Sequence, residues 1–290
     1  MDPTYSIAIC NLNQAATLRE SLLSILRQVT REYELVVVDD GSTDGSLDIL
    51  EDLSRTHEKL RYVVGDNNNI AEARNQSYRE ARGEHVLTSL DTDDRYQEGI
   101  CDFVAIYHQM TSAMDRPFHL QGQGVAIAPR ELYLEVPYRS MTYGEDYDRY
   151  RRLLAREAII WFEHELFWEK IDSEGPLIRR RKSLQRKISE FRAGVTFRST
   201  VEYYFEREPA SVALRKCLSA VVAYLIAAGR GRYELPEPYH RKGKLFREVQ
   251  ERLATLPELE ARYGFEIDRG ALSPRGREIF FGYQESCPEA

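Results

Sequence analysis

Asp91-Thr92-Asp93, followed at once by Asp94, is the densest concentration of chemistry-bearing side chains in the chain. Carboxylates two residues apart can converge on one hard divalent cation, and Mg²⁺ or Mn²⁺ prefers oxygen ligands that it shares with substrate phosphates. A second acidic pair, Asp39-Asp40, opens the run Asp39-Asp40-Gly41-Ser42-Thr43-Asp44-Gly45. A third, Glu145-Asp146, follows Tyr143-Gly144 and stands at the expected start of a helix. Carboxylates there are also what the helix dipole and capping favour, so the pair has an ordinary structural explanation beside a catalytic one. Arg74 supplies a cation between the first two clusters, and a solvated helix position would account for it equally.

The elements that must carry these residues read as alternating strands and helices. Tyr5–Cys10 is a short apolar run, and Leu18, Leu22, Ile25, Leu26 and Val29 follow at helical spacing. Glu34–Val38 lacks polar alternation, as expected of a parallel strand buried on both faces. A helix with Leu47, Leu50 and Leu53 and capping residues at its start comes next, then a strand at Arg61–Val64 and a helix marked by Ile70, Ala73, Ser77 and Ala81. His85–Leu90 is the fourth strand, ending at the acidic run. Short connections in this order imply right-handed βαβ units and an open parallel sheet, whose ligands bind beyond the carboxyl ends of the strands. Both Asp39/Asp40 and Asp91/Asp93/Asp94 sit at such ends. After Arg95 the pattern predicts a helix over Glu98–Met114 and a strand at Gly124–Ala128, and beyond about Glu169 the chain reads as helical, with a turn region over Tyr233–Lys244.

Together these features resemble the family 2 glycosyltransferases, which have the GT-A fold. The likeness rests on Val36-Val37-Val38-Asp39-Asp40-Gly41-Ser42-Thr43-Asp44-Gly45-Ser46, on Ala73-Arg74-Asn75 with Ala81-Arg82-Gly83-Glu84, on Leu90-Asp91-Thr92-Asp93-Asp94, and on Gly144-Glu145-Asp146. The resemblance implies an α/β, Rossmann-like, mostly parallel sheet over residues 1–170, with a nucleotide-binding half at 1–95 and an acceptor half at 96–170. A mostly helical region, 171–290, would follow. It further implies an inverting, metal-dependent transfer from a nucleotide diphosphate sugar, UDP-sugar favoured, to a hydroxyl acceptor on a glycan or a lipid-linked molecule. Asp40 beside Asp39 would meet the nucleobase, with Asn13, Arg74, Thr92 and Asp94 completing the nucleotide-sugar site. Asp91 would lie near ribose and metal, and Asp93 would hold the Mn²⁺ or Mg²⁺ that bridges the diphosphate. Asp146, with Glu145 beside it, matches the catalytic base. Two departures stand out: Cys10-Asn11-Leu12-Asn13 replaces the family's Pro-x-Tyr-Asn-like turn, and Asp93 precedes Asp146 by only 53 residues.

Other readings are weaker. A phospho-accepting receiver domain would share Val37-Val38-Asp39-Asp40 but is far shorter than this chain. A nucleotidyltransferase would show a Gly-rich basic loop where Asn11-Leu12-Asn13-Gln14 stands, and a homologue that binds nucleotide without catalysis is a third alternative. His164 between Glu163 and Glu165 is a candidate third metal ligand, against the simpler reading of an ordinary histidine.

Composition bounds the partners. The chain has 290 residues, 42% hydrophobic and 30% charged, as in a folded globular protein, and its net charge of -7 argues against nucleic acid. Cys10, Cys101, Cys217 and Cys287 are scattered without metal-ligand spacing, which fits a reducing compartment. The N-terminus lacks a signal-peptide pattern, and the longest apolar run, about Cys217 to Ala228, falls short of the ~20 residues that span a bilayer, so a cytoplasmic location is expected. Leu177–Arg192 is basic, with Leu177, Leu184, Ile188 and Phe191 on one stripe. Such a helix either packs that stripe on a core or rests on an anionic membrane. Val212–Ala228, with Leu214, Leu218, Val221 and Leu225, reads as a buried core or homo-oligomer helix.

Overall fold

The computed structural model describes residues 3–141, 143–171, 176–235 and 239–282, the side chains of 176–179 excepted. The chain forms two compact units. The first comprises residues 1–138, 152–172 and 252–290, and the second residues 139–151 and 173–251. The division is therefore not one cut near residue 170, because the last segment of the chain returns to the first unit. Apolar anchors explain the return: Leu256, Leu259, Ile267, Leu272, Ile279 and Phe280 are all buried in the first unit's core.

The first unit is built on a seven-stranded sheet in the order β3-β2-β1-β4-β7-β6-β8. Its strands are β1 (Tyr5–Asn11), β2 (Tyr33–Asp39), β3 (Leu60–Val64), β4 (His85–Thr88), β6 (His119–Gln121), β7 (Ala126–Pro129) and β8 (Ile159–Trp161). The first four are parallel, β7 is antiparallel to β4 and to β6, and β8 is parallel to β6. Every residue of β2 is buried, as the unbroken apolar run requires of an interior parallel strand, whereas β3 at the sheet edge is mostly half-buried. Helices α1 (Ala15–Leu26), α2 (Ser46–Thr56) and α3 (Ile70–Glu80) make the crossovers, and α4 (Ile100–Thr111) and α5 (Arg130–Glu135) follow. A separate two-stranded antiparallel ribbon joins β5 (Asp94–Tyr96) to β9 (Trp168–Lys170).

Several local readings are corrected. The fourth strand stops at Thr88, since Ser89 takes a left-handed conformation (φ 65°) that ends the pairing. The start of α2 is not capped by its own N-cap side chain, because Gly45 (φ 94°) stands there. Asp44 serves both neighbouring helices instead, accepting from Ser46 N at 3.1 Å and Ala15 N at 2.8 Å. Gly83 owes its identity to close packing: a Cβ there would lie 2.7 Å from Ser6 N and 2.9 Å from Thr4 O, both backbone atoms of the neighbouring chain segment.

The second unit packs α7 (Pro176–Arg192), α8 (Phe197–Arg207) and α9 (Ala210–Arg230), and carries the first two turns of α6 (Glu145–Ala155) and helix α10 (Lys244–Arg252). Its core is Ile188, Phe191 and Tyr204 against Ala213, Ala220, Ala223 and Ala227. Leu184, Ile188 and Phe191 of the α7 stripe thus pack inside the unit, Leu177 lying outside the described side chains, while Arg180, Arg181, Lys182 and Arg186 stay exposed. On α9 the core alternative is corrected: Leu214, Leu218, Val221 and Leu225 face outward, and the small alanines, which let neighbouring helices approach closely, supply the buried face. With 21 residues, α9 is also longer than its apolar run suggested, and by length and composition it reaches the size of a bilayer-spanning helix.

Candidate functional site

The carboxyl ends of β1 and β2 hold a loop organised from within. Asp39 is fully buried, and both its oxygens are taken by the protein: Oδ1 accepts from Ser42 N (2.8 Å), Oδ2 from Asn11 Nδ2 (2.7 Å) and Ser42 Oγ (2.8 Å). Its role is to shape the loop, with no oxygen left to meet a base. Asn13, in a left-handed conformation that asparagine tolerates (φ 53°), accepts from Thr43 N at 2.8 Å and so ties the end of β1 to the same loop.

Asp40 is the half-buried member of the pair. Its Oδ1 accepts from Asn67 N (2.7 Å) and Asn67 Nδ2 (2.9 Å), and Asn67 is steadied by Gln76 Oε1 at 2.7 Å. Asn67 carried no signal in the sequence, because its role depends on β3 lying beside β2. Arg74 on α3 is half-buried and lies over the Tyr138 ring, 5.3 Å from the centroid. Cys10, at the end of β1, reports the convergence. Desolvation pushes its thiol up to about 12, and the charges acting on it are Arg74, which lowers the value, and Asp40 and Asp91, which raise it. Arg74, Asp40 and Asp91 therefore lie within electrostatic reach of the carboxyl end of β1.

Asp91, Asp93 and Asp94 bring one carboxylate oxygen each within 4.8 Å of one another. The turn is anchored at both ends: Ser21 Oγ donates to Asp91 O at 3.0 Å, Asp91 N donates to Tyr96 Oη at 2.6 Å, and Ile171 N donates to Asp93 O at 2.9 Å. Thr92 is buried and turns away from solvent, a structural position in the turn. Lys170 is the residue that sequence reasoning missed. In the β5–β9 ribbon it pairs directly with Asp94, and its ammonium lies 2.8 Å from both Asp93 Oδ1 and Asp94 Oδ1. Burial lifts the Asp94 carboxyl above its ordinary range, and Lys170 works against that lift. The donor set fits a hard divalent cation: it is all oxygen, it is held by a braced turn, and an ammonium already stands where positive charge is needed.

His164 is not available to a metal. Its Nε2 accepts from Gln123 N (2.9 Å), its Nδ1 faces Glu165 O (2.7 Å), and burial depresses it to about 4. It is a neutral structural histidine.

Glu145 and Asp146 belong to the second unit, at the start of α6, where Gly144 (φ 84°) turns the chain into the helix. Glu145 is buried and Asp146 half-buried, and both line a cavity of about 350 Å³ formed wholly by second-unit residues. Of the expected site, the structure thus gathers Asn13, Asp40, Arg74, Asp91, Asp93 and Asp94 in one unit, and Glu145 with Asp146 in the other.

A mostly parallel sheet carrying an acidic turn at its carboxyl edge, extended by antiparallel strands, defines a GT-A nucleotide-sugar fold. Residues 6–162 match the model of glycosyl transferase family 2, and the chain belongs to that family. It is 27% identical over 149 residues to the putative teichuronic acid biosynthesis glycosyltransferase TuaG of Bacillus subtilis (strain 168), covering 49% of this chain and 56% of that one. To the putative glycosyltransferase EpsH of the same organism it is 24% identical over 167 residues, 52% of this chain and 47% of the relative. The chain thus spans about half the length of these relatives. Among solved structures, mannosyltransferase PcManGT from Pyrobaculum calidifontis, in complex with GDP-Man and Mn²⁺, superposes with a TM-score of 0.51 at 16% identity, covering 80% of this chain and 77% of that one. Glucosyl-3-phosphoglycerate synthase from Mycobacterium tuberculosis, in complex with Mn²⁺, UDP and glucosyl-3-phosphoglycerate, gives 0.50 at 18% identity, covering 64% and 77%.

Proposed function

We propose that this protein is an inverting glycosyltransferase that moves a sugar from a nucleotide diphosphate sugar, UDP-sugar favoured, to a hydroxyl acceptor, with Mn²⁺ or Mg²⁺ at Asp91 and Asp93. The observation that carries the reading is the three-carboxylate turn, Asp91, Asp93 and Asp94, whose oxygens lie within 4.8 Å of one another at the carboxyl edge of the parallel sheet. Family membership supports it, as do the two fold neighbours, which were solved with Mn²⁺ and a guanine or uracil nucleotide.

The roles follow from charge. Asp40 offers a carboxylate oxygen to the nucleobase, and Arg74 offers a cation to the nucleotide. The metal, when bound, supplies the positive charge that neutralises the departing diphosphate. Asp146 takes the proton of the acceptor hydroxyl as its oxygen bonds to the anomeric carbon. The bond from that carbon to the diphosphate oxygen breaks, its electron pair leaves with the nucleotide, and attack from the opposite face inverts the centre. Glu145 is buried beside Asp146 in the first turn of α6.

Unpaired thiols at Cys10, Cys101 and Cys217 support a reducing, cytoplasmic setting. The exposed cations Arg180, Arg181 and Lys182 of α7 support peripheral contact with an anionic membrane surface, where a lipid-linked acceptor would be met.

The deciding experiment is thermal unfolding with a panel of nucleotide diphosphates, with and without Mn²⁺. Stabilisation that needs both metal and one nucleotide, and that Asp93→Ala abolishes, is expected. Equal stabilisation of the Asp93→Ala protein would remove the metal assignment.

A further inference from the structure

The cavity beside Asp146 has a composition that a neutral hydroxyl acceptor does not call for. Its volume, about 350 Å³, is at the small end of the range for ligand pockets, roughly 300–1,000 Å³. The first turn of α6 forms one wall with Glu145, Asp146 and Tyr147. Opposite charge comes from Arg186 on α7, from Arg241 and Lys242 before α10, and from Lys244 at its start. Tyr203 and Tyr239 add aromatic faces.

Not all of these cations are engaged. Lys242 is tied to Glu190, Lys244 faces Glu248 at 3.6 Å, and Arg151 lies over the Tyr239 ring, 4.2 Å from its centroid. Arg186 and Arg241 are exposed and form no ion pair among the described residues. Lys187, one position along α7, senses the surplus: desolvation holds its ammonium below the ordinary lysine range, and Lys242, Lys216 and Arg186 push the same way against Glu190. In a chain of net charge -7, two exposed guanidinium groups lining one concave site are suited to an anion.

We propose that this cavity is the acceptor subsite and that it takes a sugar bearing an anionic group, a phosphate or a carboxylate, held by Arg186 and Arg241. The inference rests on Asp146 being the base that meets the acceptor hydroxyl. A guanidinium fork fits a phosphate or carboxylate through two parallel hydrogen bonds, which fixes the orientation of the sugar as well as holding it. The tyrosine rings give the sugar's less polar face an apolar surface.

The test is calorimetric titration of the full chain, without donor, using glucose 6-phosphate, glucuronate, methyl glucoside and inorganic phosphate. Glucose 6-phosphate or glucuronate is expected to bind at least tenfold more tightly than methyl glucoside and than inorganic phosphate, and the tighter of the two assigns the anion. The double variant Arg186→Gln/Arg241→Gln is expected to lose that preference while keeping its stabilisation by UDP with Mn²⁺, which also shows that it folds. Equal binding of methyl glucoside, inorganic phosphate as tight as the sugar acids, or an unchanged preference in the double variant would overturn the proposal. Loss of the donor-side stabilisation in the wild-type chain is a separate readout and would count against the glycosyltransferase reading instead.

Discussion

Lys170 places its ammonium 2.8 Å from Oδ1 of Asp93, inside the carboxylate cluster that is suited to a metal. The two residues are 77 positions apart in the chain and meet because β9 lies antiparallel to β5. On the proposed metal assignment, Mn²⁺ would compete with this ammonium for Asp93. Lys170→Met is therefore expected to tighten Mn²⁺ binding, by about fivefold if the half-exposed pair is worth roughly 1 kcal/mol. Without metal the variant should be less stable, since three carboxylates then face one another uncompensated. Titration calorimetry and metal-free melting check both signs, and unchanged Mn²⁺ affinity would show that Lys170 does not guard the site.

Asp40 is held by Asn67 through one oxygen only, which makes a selective probe available. Asp40→Asn keeps an acceptor for Asn67 and replaces the other oxygen by a donor. A hydrogen bond to a charged group contributes roughly 1.5–3 kcal/mol, so UDP affinity should fall about 10- to 100-fold with little change in melting temperature. Asn67→Ala, which leaves the carboxylate unsteadied, should weaken UDP binding by a smaller factor.

His164 links stability to pH. It is buried and depressed to about 4, against an ordinary value of 6.5. The folded state binds fewer protons than the unfolded one between these values, so stability is complete above pH 6.5 and falls as pH drops toward 4. The full effect is roughly 3 kcal/mol. His85 and His108, also lowered by burial, add to the same slope. His164→Gln should be less stable at neutral pH yet show a shallower loss between pH 6.5 and 4 in denaturant melts. An unchanged slope would exclude His164 as its source.

Gly83 tests the packing that aims the acidic turn. Its missing Cβ lets the chain before β4 run against the backbone of Thr4–Ser6. Gly83→Ala forces backbone apart, with an expected cost of roughly 2–4 kcal/mol, a fall in melting temperature of about 5–10 °C. A melting temperature within a degree of wild type would mean that the segment has room to yield.

The parallel half of the fold was legible because its signals are local. An apolar strand buried on both faces cannot alternate, a helix of 3.6 residues per turn must repeat its apolar positions, and Tyr33–Asp39 and Ala15–Leu26 show both patterns plainly. The acidic residues at the strand ends, Asp40 and Asp91–Asp94, were equally visible, since an open parallel sheet exposes its ligand site there. Short strands of three or four residues, such as β6, β8 and β9, carry too few positions for either period to register. What only the tertiary structure decided are the partners: Lys170 for Asp93, Asn67 for Asp40, Asp39 turned inward to hold its own loop, and the alanine face of α9 chosen over its leucines. Each depends on which distant segment lies alongside, a choice made by burial and packing over the whole unit rather than by the neighbours along the chain.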